Sequence, residues 1–308
     1  MNLYELAIIG GGPAGVAAGV YAARKRLSTI FISKDFGGQS TVSSDIQNWI
    51  GTISISGEKL AENLKSHLTA YSGNILTIAD GEYVLDVKKE DSHFVIKTDK
   101  AEHKAKTVLI TTGSYRRKLE IPGAIEFENK GITYCASCDG PLFADMDVTV
   151  IGGGNAAFET ASQLLAYAKS VTLLNRSQDF RADPVTVEKV SANPKIKIIK
   201  NAEVREVKGD KFVTSLTYRD KTTNNEIEIF VSGVFVEIGL LPNTSFVSHL
   251  VALNQYNQII VDPRTQHTSI EGVWAAGDAT DGLYHQNNIA AGDAVKALED
   301  IYSYLHTK

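Results

Sequence analysis

Cys135 and Cys138 are the only cysteines in a chain of 308 residues. In the stretch GITYCASCDGP, residues 131–141, they are separated by two residues. Thiols at that spacing can form a redox-active disulfide, supply half of a metal site, or lie inert in a core. A structural zinc site takes four ligands, yet there is no second pair, and none of the seven histidines stands near at a finger-like spacing. No metal is expected. The pair lies just ahead of a glycine-rich turn, which favours a dithiol that cycles with a disulfide. The thiolate is the nucleophile in such chemistry, and a free cysteine pKa of about 8.5 leaves only a minority ionised at neutral pH. A helix starting near the pair would favour the charged form. Asp139 can be read as an acid beside the thiols or as an Asx-turn residue before Gly140-Pro141.

Two segments of one design must position this chemistry. In YELAIIGGGPAGVAAGVYAARKRLSTIFIS, a strand (Leu6–Ile9) runs into Gly10-x-Gly12-x-x-Gly15, a small-residue helix and a second strand (Thr29–Ile32). In DVTVIGGGNAAFETASQLLAYAKSVTLLNR, strand Val148–Ile151 runs into Gly152-x-Gly154-x-x-Ala157, a helix to about Ala168 and strand Val171–Leu174. One glycine motif is weak evidence; the full strand–turn–helix–strand order, twice, predicts two dinucleotide-binding units. The first glycine permits the tight turn and the second lets backbone approach a pyrophosphate. The third position packs helix on strand, and the helix N-terminus faces the phosphates. Elsewhere, EYVLDVKKEDSHFVIKT predicts a hairpin, KTVLITTG a buried strand, and residues 209–239 two or three strands around Asn224-Asn225. TSIEGVWAAGDAT predicts a strand ending at Gly277-Asp278, and a helix follows over about Asn287–Tyr304. The crossings between the units are expected at Gly113–Arg116 and Leu241–Thr244.

The composition, 43 % hydrophobic and 22 % charged with a net charge of −5, is that of a globular protein and gives no nucleic-acid footprint. Arg24-Lys25-Arg26 and Arg116-Arg117-Lys118 are short clusters of the kind found on solvated faces. The apolar start lacks a basic leader region and is broken by Gly10, Gly11, Gly12, Pro13 and Gly15, unlike a signal peptide or membrane span. A cytoplasmic protein with no membrane partner is expected.

Gly10-Gly11-Gly12-Pro13-Ala14-Gly15, Gly37-Gly38-Gln39, Cys135-Ala-Ser-Cys138-Asp139-Gly140, Gly152-Gly153-Gly154-Asn155 and Ala275-Ala276-Gly277-Asp278 follow one another along the chain. In this order, and over essentially its whole length, the chain resembles the low-molecular-weight thioredoxin reductases. It is also similar to the C-terminal part of the flavoprotein component of alkyl hydroperoxide reductase, notably in FGGQ, KGITYCASCDGPLF and GVFVEIGLLPNT. The resemblance implies an α/β fold of two Rossmann-like dinucleotide-binding domains, for FAD and NAD(P)H, the second inserted into the first. The FAD domain would comprise residues 1–114 and 244–308, and residues 115–243 would form the NAD(P)H domain carrying the cysteines. For FAD it implies Gly10, Gly12, Pro13, Ala14, Gly15, Gly38, Gln39, Asn48, Thr112, Gly113, Gly277, Asp278, His285 and Gln286. Asp278 would bond the ribityl or phosphate portion, with Gln39, Asn48 and Gln286 around the ring. For the nicotinamide cofactor it implies Gly152, Gly154, Asn155, Ala156, Arg176 and Arg181. Cys138 would stand next to the flavin, Cys135 would attack a partner disulfide, and Asp139 would protonate a leaving thiolate. The chain departs from the family pattern at Ser33-Lys34-Asp35, where an acidic strand end is usual, at Ile50 in place of proline, and at His285 in place of arginine.

Asn175-Arg176-Ser177 and Arg181 decide the nicotinamide. Arginines there suit a 2′-phosphate, whereas an acidic residue would suit a free ribose hydroxyl, so NADPH is favoured over NADH. The implied activity is a thioredoxin-disulfide reductase acting on thioredoxin or a thioredoxin-fold protein, as a homodimer. The alternatives are an NADH-favouring core serving a peroxiredoxin or glutaredoxin-like partner, a flavin disulfide reductase with another donor such as ferredoxin, and a non-enzymatic redox sensor. Dithiol and nicotinamide would share one domain and reach the flavin in turn, by rotation about the crossings.

Overall fold

The computed structural model describes residues 2–43 and 45–307. They form two compact units, Met1–Tyr115 with Leu241–Lys308, and Arg116–Leu240. The chain passes between them twice, at Tyr115–Arg116 and Leu240–Leu241.

The first unit is built on a seven-stranded sheet in the order 76–80, 29–33, 3–9, 102–110, 94–98, 84–89, with strand Val273–Ala275 also on 102–110. The 3–9, 29–33, 76–80, 102–110 and 273–275 strands run parallel; the hairpin 84–89/94–98 and its pairing to 102–110 are antiparallel. On the side away from strand 3–9, strand Glu102–Ile110 therefore serves two partners. Its first half takes Phe94–Lys97 and its last three residues take Val273–Ala275. Alternation sends successive residues to opposite faces. Leu6, Ile8, Phe31, Leu109 and Trp274 join a core shared with helices Pro13–Arg24, Gly57–Thr69 and Asn287–Thr307. Ala7, Ile9, Ile32, Ile110 and Ala275 join a second core with Val247, Val251 and Ile259. Both faces are covered, which is why these strands read as unbroken apolar runs.

The second unit holds a five-stranded sheet in the order 196–199, 170–174, 147–151, 233–236, 132–133, all parallel. An antiparallel sheet of strands 202–209, 213–220 and 226–230 accompanies it. Val148, Val150, Leu173 and Phe235 pack with Phe158, Ala161 and Leu164 of helix Asn155–Leu164. Ile151, Leu174, Val234 and Val236 pack with Val207, Val213 and Leu216 of the antiparallel sheet. The helix expected to reach about Ala168 ends at Leu164, where turn bonds from Leu165 to Ala168 replace it. Both units are Rossmann-like: parallel strands, one of which is joined to its helix by a glycine turn.

Candidate functional site

In the second unit, strand Ile132–Thr133 is parallel to Gly233–Val236, with Thr133 opposite Phe235. Val236 in turn stands opposite Ile151, the last residue before the Gly152 turn. The cysteine segment thus leaves the sheet at the same C-terminal end as the Gly152-x-Gly154 turn. Cys135 and Cys138 are joined as a disulfide, with Cα atoms 5.3 Å apart. Cys135 is also the N-cap of the single turn Ala136–Asp139, its Sγ accepting from the Cys138 amide at 3.2 Å. One turn has little macrodipole, so this one local N–H, rather than the expected helix N-terminus, is aimed at the sulfur. Thr133 Oγ1 accepts from the Cys135 amide at 3.3 Å and donates to Asp139 Oδ2. Both cysteines and Asp139 are partly exposed, whereas Thr133 is buried.

The Gly152 turn fits a phosphate-bearing ligand by the space it leaves. A Cβ on Gly152, at φ +152°, would lie 2.3 Å from the Glu237 carbonyl oxygen, and one on Gly153 would lie 2.1 Å from Asn175 Oδ1. A Cβ on Gly154 would meet nothing within 4 Å. Helix Asn155–Leu164 starts there with no side-chain cap, unlike helix Pro184–Ser191, whose Asp183 carboxylate accepts from Thr186 N. Its uncapped first-turn amides are the donors a pyrophosphate uses. Asn155 Oδ1 accepts from Asp183 N at 2.7 Å, and Ala156 is exposed beside it. Buried Asn175 shapes the neighbouring loop by donating to the carbonyls of Ser177 (2.8 Å) and Asp179 (3.0 Å). The Arg181 amide bonds Gly153 O at 2.8 Å, which ties that loop to the glycine turn. Arg176 and Arg181 are both exposed on it.

Glu237 follows strand Gly233–Val236, its backbone carbonyl beside Gly152. Burial pushes its carboxyl above the usual range, opposed by the Arg116 guanidinium and a 2.9 Å bond from Thr160 Oγ1.

In the first unit, the equivalent turn repeats the design. Gly10, at φ +121°, lies against Thr111 and Thr112, and a Cβ on Gly15 would sit 1.8 Å from the Gly10 carbonyl oxygen. A Cβ on Gly12 again meets nothing within 4 Å, while one on Gly38 would approach Gly12 Cα at 3.5 Å. Helix Pro13–Arg24 also starts without a side-chain cap. Gly277 at the end of strand Val273–Ala275 comes beside Ala14, its Cβ position 3.4 Å from that of Ala14. Gly10, Gly12, Pro13, Ala14, Gly15, Gly38, Thr112 and Gly277 are therefore gathered at one end of the sheet. The Gly113 carbonyl accepts from the Asn243 amide at 3.0 Å. Asp278 pairs with His285 (Oδ1 to Nδ1, 3.4 Å). Asn48 Nδ2 donates to Gln286 Oε1 at 3.1 Å, and Asn288 Nδ2 donates to the Asn48 carbonyl at 2.7 Å. Gln39 is exposed on the short 3₁₀ turn Gly38–Val42. Ser33 hydrogen-bonds the Asp35 carbonyl and fills the end of strand Thr29–Ser33.

Thr133 and Glu237 carry no pattern that singles them out in the sequence. Both matter only because separate strands end side by side. Among the described residues there is no cluster of three or more His, Cys, Asp or Glu able to hold a metal, and no helix is long and apolar enough to cross a membrane.

The family model for pyridine nucleotide-disulphide oxidoreductases matches residues 4–294. An NADH dehydrogenase of Bacillus subtilis is 37 % identical over 302 residues, and the F component of the alkyl hydroperoxide reductase of Pseudomonas putida 40 % over 303. Each alignment covers 98 % of the chain, which spans 58 % of the length of each relative. The crystal structure of a thioredoxin reductase from Streptococcus pyogenes superposes with a TM-score of 0.90 at 34 % identity, covering 99 % of both chains.

Proposed function

The chain belongs to the pyridine nucleotide-disulphide oxidoreductases, a membership that implies FAD and a nicotinamide dinucleotide, and from that premise we propose that it is an FAD-dependent thioredoxin-disulfide reductase using NADPH. The observation that carries this reading is the Cys135–Cys138 disulfide at the same C-terminal end of the sheet as an uncapped glycine turn. FAD is assigned to the first unit, through the residues around Gly12, Gly38 and Gly277. The nicotinamide is assigned to the second, through Gly154 and Arg176. When bound, FAD supplies two-electron exchange between a nicotinamide hydride and a disulfide.

The chain's own residues do the rest. In the reduced pair, the Cys138 amide and a proton acceptor at Asp139 favour the Cys135 thiolate. That thiolate attacks one sulfur of the partner disulfide, forming a mixed disulfide and releasing the partner's other sulfur as a thiolate, which takes up a proton. Cys138 then attacks Cys135, re-forming the intramolecular disulfide and releasing the partner's second thiolate. Two electrons leave the chain and two partner thiols form. Asp139 is the proton donor for leaving thiolates. A thioredoxin-fold protein is the partner, with the chain acting in the cytoplasm as a homodimer.

A second reading has its own support. Both relatives above bear names pointing to NADH or hydroperoxide chemistry, so an NADH-favouring core for a peroxiredoxin or glutaredoxin-like partner is the competitor. Arg176 and Arg181 on the loop held by Asn175 favour a 2′-phosphate. The test follows flavin bleaching with NADPH and with NADH, then turnover with oxidised thioredoxin-fold proteins. Faster bleaching by NADPH and sustained thioredoxin reduction support the proposal. Bleaching by NADH alone favours the competitor, and bleaching by neither points to another donor. Bleaching without turnover on any partner points to a sensor.

A further inference from the structure

Thr133 is where the disulfide and its acid meet, and we propose that it is a positioning residue that holds the Asp139 carboxylate beside the cysteine pair and sets the pH at which it carries a proton. The inference rests on the reading of Asp139 as a proton donor given above. Thr133 is 6 % exposed and ends strand Ile132–Thr133. Its backbone is fixed by register against Phe235 on the neighbouring strand, and its hydroxyl is held by Cys135 N and Asp139 Oδ2.

The direction of the hydrogen bonds follows from the donor inventory. A backbone N–H can only donate, so at the Cys135 amide the Thr133 hydroxyl must accept. Its single proton is thereby left for Asp139 Oδ2. A bond donated to a carboxylate favours the charged form and lowers its pKa. Thr133 therefore makes Asp139 a stronger acid and ties its carboxylate to the Cys135 backbone. The same hydroxyl fixes the Cys135 backbone through its amide, so one side chain aligns both nucleophile and acid. In the oxidised protein the two cysteines are a disulfide and do not titrate, and Tyr167, from the segment after helix Asn155–Leu164, also faces this turn. The Tyr167 hydroxyl oxygen lies 2.9 Å from a Cβ position on Gly140, and burial raises its pKa, so it stays neutral.

The test uses the oxidised, flavin-loaded protein with 13C-labelled aspartate, the Asp139 resonance being identified by its loss in Asp139→Asn. Thr133→Val keeps the branched shape and removes the hydroxyl. Thr133→Ala removes it without a methyl to place, so a folding defect of one variant does not decide the matter. Thr133→Ser keeps the hydroxyl. The Asp139 midpoint is expected to rise by about one pH unit in Val and Ala, tenfold in its acid constant, and to stay within about 0.3 unit in Ser. An unchanged midpoint in the variants lacking the hydroxyl overturns the inference. The pH–rate profile of disulfide turnover is then recorded on the same proteins, its acid-dependent limb expected to move with the midpoint. If the midpoint moves and the profile does not, the proton-donor reading of Asp139 falls while the hold of Thr133 on the carboxylate stands.

Discussion

Asn48 and Gln286 lie 238 residues apart in the chain, yet the amide of one donates to the carbonyl of the other at 3.1 Å. The bond joins the loop after the Gly38 turn to the residue just before helix Asn287–Thr307. Both side chains are expected around the flavin ring, so the bond would pre-set their positions before any ligand arrives. Asn48→Ala and Gln286→Ala should each weaken flavin retention several-fold, and the double variant should lose little more than either single. Because Asn48 is exposed, the flavin-free protein should melt within about 0.5 kcal/mol of wild type. Additive losses of flavin affinity would show that the two amides act independently.

The last two glycines of the Gly10-x-Gly12-x-x-Gly15 motif should fail in opposite ways. A Cβ at Gly15 meets backbone at 1.8 Å, so Gly15→Ala should destabilise the protein by on the order of 3 kcal/mol. A Cβ at Gly12 meets nothing within 4 Å of protein, so Gly12→Ala should leave the flavin-free melting temperature unchanged. Its flavin affinity should nonetheless fall about tenfold or more, because the methyl occupies the space a pyrophosphate needs. Denaturant melts and flavin titration of the two variants check this. A Gly12→Ala protein with full flavin affinity would remove that turn from the site.

Arg176→Ala should lower kcat/KM for NADPH by about 10- to 100-fold, the range of a lost hydrogen bond to a charged group, and leave NADH unaffected. Arg181→Ala should act in the same direction. Equal losses with both nucleotides would mean that these arginines do not read the 2′-phosphate.

Glu237 gives stability a pH dependence of unusual sign. Burial raises its folded pKa, chiefly by desolvation, against Arg116 and Thr160. Such a carboxyl contributes stability that is complete below the unfolded glutamate value, about 4.3, and lost as pH rises through the higher folded value. Glu237→Gln can still accept the Thr160 bond but has no proton to lose. Its melting temperature should therefore improve relative to wild type between pH 4 and pH 8, read by scanning calorimetry at both. A difference that is flat, or that shrinks with pH, would contradict the assignment.

Both glycine turns were legible in the sequence because their function depends on local backbone, and strand–turn–helix order is written in consecutive residues. So was the isolation of Cys135 and Cys138, which needs only a count. Helix Gly57–Thr69 also leaves a local signature, Ser56 capping Lys59 N and Leu60, Leu64 and Leu68 on one face, though no motif drew attention to it. What lies beyond the sequence is set by register between distant strands. Thr133 is only six residues from the acid, but its backbone is set in the sheet by Ile132–Thr133 pairing with Val234–Phe235, about a hundred residues away. Glu237 meets Gly152 and Thr160 for the same reason. The end of helix Asn155–Leu164 was overestimated because Leu165-Ala166-Tyr167-Ala168 keeps an apolar, helix-favouring composition while the backbone has already turned.

Strand Val273–Ala275 lies on strand Glu102–Ile110, and its Trp274, fully buried, donates Nε1–H to Asp300 at 2.9 Å. On a ribosome, residues 116–240 are all made after strand Glu102–Ile110 and before its last partner. The inserted unit is therefore free to fold while the first sheet still waits with an open edge along Val108–Ile110. At 5–20 residues per second that wait is about ten seconds or longer. During it, the half-built sheet is exposed to mispairing and to chaperones, and Trp274 is among the last large side chains to leave water. Nascent chains halted before residue 273 should accordingly hold a finished unit carrying the cysteine pair, attached to an unfinished sheet.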